Sequence, residues 1–193
     1  HALKACCMPS EKQHAHTFDC NWEEFVQAYQ SRFDTLPPYQ DKNEKFPDVI
    51  KCEFRDFEVV DGIVQFKADK QGRINAPSFV KHWMGTDRVC FNVTLTIDRA
   101  NRFMRVVTMN VTFAESGLRL NEDLRYFANP DNPSQTRLTC TAELDLMYIP
   151  GVSKSIESFV LDVYAEKTIQ ARKFEQPFIA MWKGNKSLPP RTW

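Results

Sequence analysis

The chain has 193 residues, in which 25 lysines and arginines balance 25 aspartates and glutamates, so its formal net charge is zero. A nucleic-acid-binding domain usually carries a basic excess, and we therefore expect no nucleic-acid partner. No apolar run approaches the roughly 18 residues of a transmembrane helix, and the length suits one domain with a sizeable core.

The six cysteines form no Cys-x-x-Cys pair and have no metal-ligand spacing, and we interpret them as free, mostly buried thiols. They are Cys6, Cys7, Cys20, Cys52, Cys90 and Cys140. Cys90 and Cys140 fall in predicted strands and could face each other, so a disulfide between them stays open. No metal site and no cofactor are predicted.

The first elements are a polar arm, a short strand and a helix. Residues 1–13 are predicted to be an irregular N-terminal arm, and His14–Phe18 a strand. Asn21 is followed three residues later by Glu24, the pattern of a helix capping box. Apolar residues then keep helical spacing, which predicts a helix over Trp22–Phe33.

A hairpin is predicted next. Val49–Val60 forms a strand with a bulge near Arg55–Asp56, because its apolar residues change face there. Asp61-Gly62 is a hairpin turn signal, and Ile63–Ala68 is the return strand. A short helical piece opened by proline and closed by glycine follows over Pro77–Gly85.

From residue 89 onward, apolar and polar residues alternate in four runs separated by turns, which is typical of an antiparallel meander with one apolar face. The predicted apolar faces are Val89, Phe91, Val93, Leu95 and Ile97; Phe103, Val107, Met109, Val111 and Phe113; Leu118, Leu120, Leu124 and Tyr126; and Leu138, Cys140, Ala142, Leu144 and Leu146. Arg105 and Glu122 interrupt two of these faces and could pair with each other inside.

The apolar face needs a cover, and the only segment long enough is the last one. Apolar residues recur at helical spacing from Val152, predicting a long C-terminal helix to about Trp182 with a kink or break just before Pro177. The expected fold class is α+β, a curved antiparallel sheet wrapped on this helix. The pattern leaves open whether the space between them is a filled core or an apolar cavity.

Several short stretches occur in an order and spacing that resemble a known family. They are His16-Thr17-Phe18-Asp19 with Trp22-Glu23; Ala76-Pro77-Ser78-Phe79-Val80-Lys81; Asn110-Val111-Thr112-Phe113; Asn121-Glu122 with Tyr126; and Gly151 with Ile156-Glu157 and Tyr164. Together they resemble the PRELI family, including the PRELI-type domain at the front of some Sec14-like proteins. The resemblance divides the chain into the arm, a lipid-binding domain over residues 14–183 and a tail over residues 184–193.

The resemblance implies a START-like helix-grip fold and a mitochondrial protein, in the intermembrane space or associated with the inner membrane. It implies transfer of an anionic phospholipid, phosphatidic acid or phosphatidylserine, between membranes that the protein touches peripherally. It also implies a small partner protein with twin Cys-x9-Cys motifs. The sequence shows no nucleophile elbow, Gly-rich phosphate loop or His-Glu-x-x-His motif, so we expect no enzyme.

Lipid transfer would require three groups of residues. An apolar cavity must replace the membrane around the acyl chains; the predicted lining is Phe91, Val93, Leu95, Val107, Met109, Val111, Leu144, Phe159 and Val163. Cations must meet the phosphate; the resemblance suggests Arg32, Lys67, Lys70, Arg73 and Lys167. A lid must touch the bilayer; the candidates are Phe79, Val80, Lys81, Trp83 and Met84. A filled core, solvated charges and a helix that plugs the sheet are the alternative readings of the three groups.

Two other functions stay open. A position of the long helix that is usually basic in the family is Gln170 here, with Lys167 one turn earlier. Together with Pro177 and the proline-rich, aromatic end Leu188–Trp193, this favours a domain kept as an accessory subunit of a large mitochondrial membrane complex. The third possibility is a sensor that binds a small apolar ligand without transferring it.

Overall fold

The computed structural model describes residues 10–35, 49–73, 78, 82, 85–114, 117–146, 157–166, 168–169, 179–180 and 183, with only the backbone described for 31–35 and 49–55. Its elements are β1 Ser10–Phe18, α1 Trp22–Thr35, β2 Val49–Val60, β3 Ile63–Arg73, β4 Arg88–Asp98, β5 Phe103–Asn110, β6 Leu118–Ala128 and β7 Thr136–Leu146. Residues 157–166 and 168–169 are helical and are called the C-terminal helix below.

The strands form one curved antiparallel sheet in the order β1-β7-β6-β5-β4-β3-β2. Strands β2 to β7 are a simple meander, and β1 joins the sheet beside β7 with Ser10 opposite Leu144. The sheet and the C-terminal helix confirm the predicted α+β fold class. No helix within the described residues combines the length and apolar character needed to cross a bilayer.

Strand β1 starts at Ser10, four residues before its predicted start at His14. The early part was missed because its side chains are polar on both faces. The inner-facing ones find polar partners on the C-terminal helix: Ser10 Oγ donates to Glu157, and Lys12 Nζ lies 3.6 Å from an oxygen of Asp162. An edge strand of this kind is stabilised by polar contacts, so it has no hydrophobic pattern to read.

The β2–β3 hairpin confirms the local turn signals. The register shifts between Arg55 and Glu58, and Asp56 has φ of 50°, which is the predicted bulge. Asp61 and Gly62 have φ of 51° and 78°, the positive values that a two-residue type I′ turn requires at both positions. Strand β3 continues to Arg73, past the predicted end at Ala68.

Helix α1 begins with the predicted capping box and packs on the sheet. Asn21 Oδ1 accepts from the Glu24 amide at 2.9 Å, and Glu24 Oε2 accepts from the Asn21 amide at 3.2 Å. The ring of Phe25 stacks on that of Tyr126 with centroids 4.8 Å apart. Trp22 Nε1 donates to the Tyr126 carbonyl at 3.3 Å, so α1 is tied to β6 by packing and by a hydrogen bond.

The predicted face of β5 is wrong. Met104 and Val106 are 0% and 3% exposed, and Val106 stands between Leu95 of β4 and Leu124 of β6 in the register. Met109, predicted to face inward, is 44% exposed. Both sets of alternating positions in β5 carry apolar residues, so the pattern alone did not decide which set faces the core.

The disulfide that the sequence left open does not form. Cys90 and Cys140 are both free thiols. Cys140 is buried on the inner face of β7, whereas Cys90 lies next to buried Val89 on β4, and neighbouring residues of a strand point to opposite faces. The two sulfur atoms therefore lie on opposite sides of the sheet.

Two methionines of β5 provide a test of which face of this strand points into the core. Met104→Ala should lower the free energy of unfolding by about 2–5 kcal/mol, because it opens a cavity in the core. Met109→Ala, the matched control, should change it by no more than about 0.5 kcal/mol, because its side chain is largely exposed. Urea denaturation measures both, and a larger loss for Met109→Ala would contradict the assignment.

Candidate functional site

The concave face of the sheet is fully covered at the end where α1 packs. Ile97, Met104 and Tyr126 follow one another across β4, β5 and β6, and each is 0% exposed. Phe25 and Tyr29 of α1 lie against Tyr126, with ring centroids 4.8 and 5.9 Å away. This end of the face is a filled aromatic and aliphatic core.

Further along the same face, one group of side chains is only partly covered. They share the inward orientation but remain half-buried, and we call them the open half of the concave face: Phe91, Val93, Thr108, Leu120 and Glu122. Val93, Thr108 and Glu122 are direct neighbours across β4, β5 and β6. An inward-facing, largely apolar surface that stays accessible is the best candidate in the described chain for holding a ligand.

The C-terminal helix borders the open half. Val160 and Leu161 pack against the cluster of Leu118 and Leu144, beyond Leu120 on the inner face. One turn later, Tyr164 is buried and points its hydroxyl group at β6 and β7. The helix therefore supplies both apolar contact and one polar group to the site.

Three polar side chains meet between the helix and the sheet, and we call Glu122, Cys140 and Tyr164 the polar cluster. Tyr164 Oη donates to Glu122 Oε1 at 3.0 Å and lies 2.6 Å from Cys140 Sγ. Cys140 Sγ lies 3.8 Å from the same carboxylate oxygen. Burial, and next the negative charge of Glu122, raise the pKa of Tyr164 above its ordinary value, so the hydroxyl group stays a donor.

The inner pairing between Arg105 and Glu122 that the sequence left open does not occur. Arg105 lies on the outer face, where its guanidinium bonds both carboxylate oxygens of Asp123 at 2.9 and 3.0 Å. Arg125 also bonds Asp123, at 2.6 Å. Partial burial opposes ionisation of Asp123, but the two arginines outweigh it and hold the pKa of Asp123 below its ordinary value.

The structure places the nine predicted lining residues in three groups. Phe91, Val93, Leu95 and Leu144 lie on the concave face; Leu95 and Leu144 are buried there, and Phe91 and Val93 belong to the open half. Phe159 and Val163 are half-buried on the C-terminal helix. Whether these six residues contact a lipid stays a prediction.

The other three predicted lining residues lie outside the concave site. Val107 stands between Thr94 and Asp123 on the outer face of the sheet. Met109 is on the same face, and Val111 is 49% exposed just after β5 ends. All three predictions failed for the same reason, the wrong choice of inner face for β5.

Among the predicted headgroup cations, Lys70 lies on the inner face of β3 opposite Phe91. Lys67 lies on the outer face, with Nζ 3.8 Å from an oxygen of Asp56, and Arg73 is exposed at the end of the strand on that face. The alternation along β3 therefore turns Lys67 and Arg73 away from the site. Two further predicted cations have side chains outside the described residues: Arg32 and Lys167.

The predicted lid falls almost entirely outside the described residues. Its five contact residues are Phe79, Val80, Lys81, Trp83 and Met84. Ser78 and His82 are helical and exposed, and Gly85 has φ of 65°, as expected for a glycine that ends a helix. Gln170 and Pro177 also lie outside the described part, so the lid and the helix kink stay predictions.

The polar cluster was not predicted from the sequence. Glu122 was read as a possible partner of Arg105, and Cys140 as an ordinary core thiol. Glu122 and Tyr164 nevertheless belong to the short stretches that carried the family resemblance. Their position in separate motifs was the one signal that pointed to them, but it did not show that they touch.

A model of the PRELI-like family matches residues 24–184. "Protein real-time" of Drosophila melanogaster is 29% identical over 160 residues, which cover 82% of this chain and 23% of that protein. "Protein slowmo homolog" of Dictyostelium discoideum is 25% identical over 174 residues, covering 89% of this chain and 72% of that protein. The matched part of the chain thus covers less than a quarter of the length of the real-time proteins of both Drosophila species and of Aedes aegypti.

Solved structures with the same fold include a START superfamily protein from Mycobacterium smegmatis. Its TM-score is 0.52 at 13% identity, over 89% of this chain and 97% of that chain. The Zhui aromatase/cyclase from Streptomyces has a TM-score of 0.60 at 9% identity, over 90% and 95% of the two chains. At these identities the likeness shows the fold alone, which is START-like as expected.

The raised pKa of Tyr164 predicts a loss of stability at alkaline pH. Unfolding lets Tyr164 release its proton above its ordinary pKa of 10.0, while the folded chain keeps the proton to higher pH. The stabilisation is therefore complete below pH 10 and declines as the pH rises further. We expect the stability advantage of the wild type over Tyr164→Phe to shrink between about pH 9 and 11. Urea unfolding across that range checks this, and a constant difference would contradict it.

Proposed function

This chain belongs to the PRELI-like family, and from that premise we propose that it binds a phospholipid on the open half of its concave face and transfers it between mitochondrial membranes. The family match over residues 24–184 includes strands β2 to β7 and the described C-terminal helix. The START-like architecture supports a lipid-binding domain.

One observation carries the proposal, namely the contrast between the filled part of the concave face and its open half. On β4, Leu95 and Ile97 are 1% and 0% exposed, whereas Phe91 and Val93 on the same face are half-buried. Each Å² of apolar surface left in water costs about 25 cal/mol. Acyl chains that cover this surface would remove that cost. Each methylene that they bury would contribute about 0.8 kcal/mol of favourable binding free energy.

The headgroup is proposed to be anionic because Lys70 lies on the same inner face. A lysine ammonium bonds a phosphate through charge-assisted hydrogen bonds, which are stronger than neutral ones. Lys70 stands opposite Phe91, at the edge of the open half. The cargo would be phosphatidic acid or phosphatidylserine, the two lipids that the family resemblance suggests.

Three further parts of the proposal rest on family membership. They are a mitochondrial location, peripheral contact with the membrane and a small partner protein with twin Cys-x9-Cys motifs. Binding rather than catalysis is proposed because the tyrosine of the polar cluster is not poised for proton transfer near neutral pH. Tyr164 keeps its proton far above that range, since burial and Glu122 raise its pKa.

Native mass spectrometry of the protein isolated from its own source tests the function most directly. A phospholipid adduct on the free chain, or on a one-to-one complex with a small cysteine-rich partner, is the expected result. Recovery only within a large membrane assembly, with no lipid bound, would contradict transfer and favour the accessory-subunit role.

Filling the open half should block lipid binding. Val93→Trp places an indole ring in the space proposed for the acyl chains, and we expect transfer between vesicles to fall about tenfold, equivalent to about 1.4 kcal/mol. Met109→Trp puts the same ring on the outer face of the neighbouring strand and should leave transfer unchanged. Equal losses for the two variants would show that the effect does not come from the concave site.

Lys70 and Lys67 provide a matched pair for the headgroup. Lys70→Ala should slow the transfer of phosphatidic acid about tenfold, because a hydrogen bond to a charged group is lost. Lys67→Ala removes an equal charge from the outer face of the same strand and should have little effect. Fluorescent-lipid transfer between vesicles measures both, and a larger effect of Lys67→Ala would place the headgroup elsewhere.

A further inference from the structure

Glu122 is an acidic residue whose direct neighbours on the two adjacent strands are uncharged. In the register it stands between Thr108 of β5 and Ala142 of β7, with Val93 one strand further along. All of these side chains share the concave face. A half-buried carboxylate on such a surface loses hydration, so it is favoured only where a partner compensates for that loss.

The described partners of Glu122 use one of its two oxygens and are neutral. Tyr164 Oη and Cys140 Sγ both approach Oε1. Among the residues that the structure describes, no cation forms an ion pair with Glu122 and nothing donates to its Oε2. Lys12 of β1 pairs with Ala142 on the side away from Glu122, so it lies two strands from Glu122 on the same face. Its ammonium group forms an ion pair with Asp162 on the C-terminal helix.

The carboxylate and the inner-facing cation occupy different places on the concave face. Glu122 is on β6 and Lys70 on β3, three strands away. At about 4.8 Å per strand, the two strands are roughly 14 Å apart across the sheet, so the two side chains are separate charges rather than a pair. The concave face therefore carries an anion and a cation at separate positions, with apolar residues between and beside them.

We propose that Glu122 recognises the primary ammonium group of a phospholipid headgroup. This inference rests on the proposed lipid-binding function and names the class of its cargo, phospholipids with a serine or ethanolamine headgroup. An ammonium group carries three donors and a positive charge, which complement Oε2. Phosphatidic acid has no amine, and the choline headgroup has no N–H donor, so neither meets this requirement.

The competing explanation is that Glu122 only ties the C-terminal helix to the sheet through Tyr164. Two variants separate these roles. Glu122→Gln keeps an oxygen that accepts from Tyr164 but removes the negative charge. Tyr164→Phe removes the tie and leaves the charge in place. The midpoint of urea unfolding shows that each variant is folded under the conditions of the assay.

The experiment measures the transfer of four labelled phospholipids between vesicles that are otherwise identical. The four are phosphatidylserine, phosphatidylethanolamine, phosphatidylcholine and phosphatidic acid. The wild type should transfer the serine and ethanolamine lipids in preference to the choline lipid. Glu122→Gln should lower their transfer about tenfold relative to phosphatidic acid, because a charge-assisted hydrogen bond is lost. Tyr164→Phe should keep the wild-type preference. If Glu122→Gln slows the transfer of both amine lipids, Glu122 recognises the ammonium group that they share. If it slows the transfer of the serine lipid alone, Glu122 recognises the serine headgroup.

Unchanged lipid preference in Glu122→Gln, or equal changes in preference in both variants, would overturn this inference while leaving lipid transfer intact. A wild-type preference for phosphatidic acid over both amine lipids would overturn it as well. If the wild-type protein moves none of the four lipids, the proposed function itself fails. The two failures are therefore distinct.

Discussion

The packing of α1 on one end of the concave face is the interaction on which the rest of the structure depends. The capping box at Asn21 fixes where the helix begins, and Trp22 and Phe25 fasten it to Tyr126. The described side chains of α1 cover that end, and the C-terminal helix packs on the inner face further along, at Leu118 and Leu144. The position of α1 thus determines where the aromatic core of the concave face lies.

Features encoded by neighbouring residues could be read from the sequence. The capping box at Asn21, the bulge at Asp56 and the turn at Asp61-Gly62 were each predicted where they occur, because a side chain or a backbone conformation identifies them within a few residues. The prediction of the inner face of β5 was wrong because both faces of this strand carry apolar residues. Its register is decided by Leu95 and Leu124 on the adjacent strands, which no local pattern records.

The candidate site was predictable only in part for a related reason. The inward-facing residues of β4 followed from alternation, but the inward orientation of Lys70 could not be read because β3 was predicted to end at Ala68, whereas it continues to Arg73. The contact between Glu122 and Tyr164 joins residues 42 positions apart. Such a contact follows from how the helix crosses the sheet, and composition and spacing do not specify it.

The place of β1 in the sheet has a consequence for how the protein is made. Ser10 pairs with Leu144, so the first strand has its ladder partner 134 residues later in the chain. A ribosome adds about 5–20 residues each second, so this strand waits several seconds without its neighbour. Pairing of such distant segments is slow because the long loop must close first. The sheet is completed only after β7 has emerged, and until then its polar first strand, with few apolar residues to expose, is suited to remaining in water.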